Sequence, residues 1–60
     1  MNATEKFIEH CSNAQQIANE ITALCNDHLG YEPDEINWGH VGDAARVSRL
    51  LSEILESIKQ

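Results

Sequence analysis

A chain of 60 residues with a formal charge of −6 has room for one small domain. Its surface repels phosphate backbones and anionic lipid, which argues against direct binding to nucleic acid or membrane. With 42% hydrophobic and 23% charged residues, the composition is that of a folded domain rather than a disordered tail.

Such a core is marginal by itself. A domain of this size buries only about 60% of its unfolded surface, and small scaffolds recruit a disulfide, a metal or a second subunit. No apolar run approaches the roughly 20 residues that span a bilayer. The N-terminal Met1-Asn-Ala-Thr-Glu-Lys6 lacks the basic and apolar regions of a signal peptide. A cytoplasmic protein is expected.

The first element begins at Asn2-Ala-Thr-Glu5, an N-cap residue type followed three positions later by Glu, in the outline of a capping box. Phe7, Cys11, Ala14, Ala18, Ile21, Cys25 and His28 then alternate by four and three, an a/d seam over three heptads. Ile17 and Leu24 widen the stripe toward a globular bundle. Gly30 follows as a helix stop. The pattern predicts a helix over about residues 3–29.

The stretch Tyr31–Asp43 separates this helix from the next. It holds the only Pro, two of the three glycines, two of the three aromatic residues and four of the ten acids. Beyond it Ala44, Val47, Leu51, Ile54 and Ile58 alternate by three and four, with Leu50 and Leu55 flanking and Arg46, Arg49, Ser52, Glu53, Glu56 and Lys59 opposite. Two starts compete for this second helix. Asp43 is one candidate N-cap. Asn37 is the other, with Trp38-Gly-His40 as the first turn. Gly39 and Gly42 each weigh against helix by about 1 kcal/mol relative to Ala, but Trp38, Val41 and Ala45 keep close to helical spacing and favour Asn37. Helix 2 then covers about residues 37–59 and residues 30–36 form an acidic connector, with Pro33 biasing Glu32 toward extended backbone.

The fold class is therefore all-α: a single domain, residues 1–60, built as a two-helix antiparallel hairpin. A hairpin has only two inward faces, so dimerisation into a four-helix bundle is expected. The competing arrangement is a compact monomer in which Tyr31, Ile36 and Trp38 close over one end.

Cys11 and Cys25 stand fourteen residues apart, about 21 Å along a continuous helix, far beyond the roughly 7 Å that a disulfide requires. They read as buried core thiols. Cys25 with His28, and His40 with Asp43, share i,i+3 spacing, but the set matches none of the usual paired zinc-ligand patterns. No metal and no cofactor are expected, and a metal sensor through Cys25, His28 and His40 is the least favoured reading. The serines Ser12, Ser48, Ser52 and Ser57 lie on helices with no nucleophile elbow. Gly39-x-x-Gly42 lacks the Lys of a phosphate loop. Nothing here supports an enzyme.

Recognition remains. From Phe7 to Ala45 there is no Lys or Arg, while seven acids fall in that span. Tyr31 and Trp38 are the residue types that anchor interfaces. Asp27, Glu32, Asp34, Glu35 and Asp43 supply a complementary rim for a basic protein surface. A competing assignment places Trp38 and Tyr31 over the core at the hairpin's open end.

The segment Glu35-Ile-Asn-Trp-Gly-His-Val-Gly-Asp-Ala44 and the amphipathic helix after it, over about residues 34–58, resemble small acidic helical proteins of phages and mobile elements. Anti-CRISPR and other anti-defence inhibitors are among these. The resemblance implies an inhibitor that occupies the nucleic-acid-binding surface of a host protein or complex, with acids standing in for phosphates, and it assigns no role to any residue. The alternative function is a regulatory or structural helical-hairpin homodimer, similar in size to small plasmid RNA-regulating bundles.

Overall fold

A computed structural model describes residues 2–59, and the chain forms two helical units, Met1–Gly30 and Tyr31–Gln60. The fold is all-α, with no strand among the described residues.

The first unit is the helix α1, Ala3–Asn26. Its start follows from Asn2, whose extended backbone stops the helix and whose Oδ1 accepts the Glu5 N–H at 2.8 Å. That bond satisfies one of the donors a helix leaves bare at its first turn. The helix ends three residues before the expected Leu29. Asn26 and Asp27 are weak helix formers whose short polar side chains compete for the backbone, and the Asp27 N–H turns back to the Leu24 carbonyl at 3.1 Å. His28, Leu29 and Gly30 then all take left-handed backbone, with φ of 58°, 55° and 84°. Only Gly30 does so without a Cβ penalty. His28 therefore leaves the α1 seam to which its spacing assigned it.

The second unit opens with an extended Glu32 and a single 3₁₀ turn, Pro33–Glu35, closed by the Glu35 N–H on the Glu32 carbonyl at 2.9 Å. Proline's fixed φ and missing N–H suit the first position of such a turn, so the acidic connector carries local order, with Glu32 extended as expected. Helix α2 follows, Trp38–Ile58, capped by Asn37. Between the two competing starts the chain takes Asn37, and Asp43 lies within the helix. Arg49 and Glu53 pair at 3.1 Å across one turn. Both are exposed, so the pair is worth tenths of a kcal/mol.

Each unit taken by itself is one layer thick, and an amphipathic stripe needs a second layer to be covered. Among the described residues none is buried. Phe7, Ile17 and Leu24 stand exposed along α1, as do Leu50, Ile54 and Leu55 along α2. Cys11 and Cys25 are exposed free thiols in the single chain, where α1 by itself supplies no core to bury them. Among the described residues no helix is long and apolar enough to cross a membrane.

Candidate functional site

The features that carry chemistry gather at the start of the second unit. Asn37 and His40 form a reciprocal capping box. The His40 N–H donates to Asn37 Oδ1 at 3.1 Å, and the Asn37 N–H donates to His40 Nδ1 at 3.3 Å. In the usual box the third helical position is Glu or Gln; here an imidazole does that work. This bond requires a lone pair on Nδ1, which the imidazole offers in the tautomer with its ring proton on Nε2.

Tyr31 lies flat on this imidazole, with ring centroids 3.8 Å apart and planes 14° from parallel. Its hydroxyl donates to Asp43 Oδ2 at 3.1 Å. One turn of helix separates His40 from Asp43, so both project from one face, and the tyrosine spans the two. Tyr31 and His40 are half-buried as a result. The hydrogen bond to Asp43 is the main cause that raises the Tyr31 pKa above 10.0, with charge repulsion from the same carboxylate and slight desolvation acting in the same direction.

The expected partner-binding residues therefore divide. Tyr31 and Asp43 are bonded to each other and brace the connector against α2. Glu32, Asp34 and Glu35 surround the 3₁₀ turn and are exposed, as is Trp38. Among the described residues, none of these three acids makes an ion pair. Trp38 is 86% exposed at the first position of α2, where the competing assignment lays it over a core. At this position the indole has no preceding helical turn on which to lie. The half-buried aromatic is Tyr31. Asp27 belongs to the other unit, where it is the C-cap of α1.

The metal-sensor constellation loses its premise. His28 lies beyond α1 in left-handed backbone, so it no longer shares a helix face with Cys25. Among the described residues no group of three His, Cys, Asp or Glu side chains is placed to hold an ion.

Periodicity and motif spacing do not bring Asn37, His40 and Tyr31 together. A signal was present: Asn-x-x-His has the spacing of a capping box, although His is not its usual closing residue. His40 and Asp43, three apart like a ligand pair, form instead the two-point seat of a tyrosine. No protein-family model, no curated protein and no solved structure matches this chain.

Proposed function

We propose that the protein is a non-enzymatic binding module that docks on a basic protein surface, with Trp38 as anchor and Glu32, Asp34 and Glu35 as its charged rim. The observation that carries this reading is the exposure of Trp38, at 86%, beside an acidic turn in a stretch without Lys or Arg. A large aromatic held in water gains most when a partner covers it. Carboxylates around it select a cationic surface and speed the encounter. The preferred partner class is a nucleic-acid-binding protein whose phosphate groove accepts the acids, an inhibitor of the anti-defence type. That choice rests on the resemblance of residues 34–58 to small acidic phage proteins.

Affinity capture from the source cell tests it. The expected result is a basic protein retained at low salt and released as salt rises, since screening beyond a Debye length of about 8 Å at 0.15 M weakens exposed charge pairs. Replacing Glu32, Asp34 and Glu35 with their amides should weaken capture by roughly tenfold or more. Trp38→Ala should cost on the order of 2 kcal/mol. Retention of the same protein by the triple-amide variant at every salt concentration contradicts phosphate mimicry.

A second reading is favoured by a separate observation, the apolar stripes exposed on both helices. In this reading α1 and α2 form an antiparallel hairpin and two copies close a four-helix bundle, so that self-association is the protein's main business.

A further inference from the structure

We propose that His40 is a proton-operated latch for the first turn of α2: neutral imidazole closes the Asn37 capping box, and imidazolium opens it. This goes beyond the docking reading and stands on the geometry of the cap alone.

The two helices supply a natural comparison, because both begin with Asn. Asn2 caps α1 by accepting the Glu5 N–H, and Asn37 caps α2 by accepting the His40 N–H. Only the second box is closed in return by a ring nitrogen, with the Asn37 N–H donating to Nδ1. That bond needs a lone pair on Nδ1. Imidazolium carries N–H on both nitrogens and has no acceptor, so protonation sets two donors against each other. It also puts a positive charge in the first helical turn, where the backbone dipoles already present their positive end. Imidazole is the side chain that exchanges its proton in the physiological range.

Tyr31 acts in the other direction: it stacks on the ring, and an aromatic face attracts a cation. The charged groups on the same elements are Asp43, one turn along α2 and bonded to Tyr31, and Glu32, Asp34 and Glu35 of the connector. The Tyr31 stack does not depend on the Nδ1 lone pair, whereas the bond from the Asn37 N–H does. The expected consequence is selective: the cap opens while the Tyr31–His40 stack persists. The turn that loosens is the one displaying Trp38.

Amide exchange by NMR on the full chain tests the latch, with protection expressed relative to the unstructured rate at each pH. Between pH 8 and pH 5.5 the Asn37 amide should lose protection by about fivefold, the equilibrium equivalent of one hydrogen bond, the His40 amide, held by Asn37 Oδ1, should lose less, and Glu5 in α1 should not change. Ring nitrogen shifts at pH 8 should show the Nε2–H form at His40. His40→Gln retains a neutral acceptor at the same position and should abolish the pH dependence with the cap intact. His40→Ala should leave Asn37 unprotected at both pH values. Constant Asn37 protection across the range, pH-dependent loss that persists in His40→Gln, or an Nδ1–H form at pH 8 overturns the proposal. No partner is needed for any of these measurements, so they stand or fall separately from docking.

Discussion

Tyr31 shows how one side chain ties a connector to a helix. Its ring covers His40 and its hydroxyl reaches Asp43, so two weak contacts share one loss of side-chain freedom. The bond needs the phenol protonated and the carboxylate ionised, and it shifts the phenol upward from 10.0. A pKa raised in the folded state means that the folded chain holds the proton more tightly. The contact's contribution is complete below the ordinary tyrosine value and is lost as pH rises through the raised one. Because this is the protein's one tyrosine, ultraviolet titration of tyrosinate reads it directly. The midpoint should lie above 10.0 and return toward it in Asp43→Asn. A wild-type midpoint at the ordinary value would show that Asp43 does not hold the hydroxyl in solution.

At the scale of the element, the glycines of α2 have different environments although they stand only three residues apart. A Cβ built on Gly42 meets nothing within 4 Å, whereas one on Gly39 meets Asn37 Oδ1 at 3.1 Å. Gly42→Ala should therefore stabilise the helix by about 0.5–1 kcal/mol, the ordinary propensity gain. Gly39→Ala should recover less, because its methyl group crowds the capping oxygen. Circular dichroism melts of the two variants measure the difference; a gain at position 39 equal to that at 42 would show that the cap yields at no cost. The same element explains why helix 2 was legible in its body and ambiguous at its start. Periodicity runs through Ala44–Ile58, but the choice between Asn37 and Asp43 turned on a box closed by histidine. Helix 1 was legible at its start, where Asn2 caps in the ordinary way. It ended early because Asn26 and Asp27 form a turn before Gly30 can act as the stop.

At the scale of the whole molecule, the apolar stripes set the energetics. Covering one Leu, Ile or Phe side chain fully is worth about 1.5–3 kcal/mol, and α1 and α2 each expose several. If self-association covers them, sedimentation equilibrium should give a dimer at roughly micromolar concentration, and Ile54→Asp, on the α2 stripe, should shift it to monomer. A wild-type chain that sediments as a monomer across that range removes the obligate bundle and leaves a compact monomer or docking on another protein as the use for these faces.

The sequence by itself determined what local physics decides: two helices with apolar stripes, an asparagine cap at the start of the first, and an acidic stretch without basic residues. These follow from nearest neighbours, from periodicity and from charge. Only the tertiary structure decided which aromatic is covered and which is displayed. That choice depends on the path of residues 31–37, where one 3₁₀ turn brings Tyr31 onto a helix face formed by His40 and Asp43, and where Asn37 starts α2 with Trp38 facing water. Tyr31 and Asp43 are twelve residues apart in the chain, and no periodicity spans that interval. Their meeting is set by the geometry of the turn, and it leaves Trp38 as the aromatic on display.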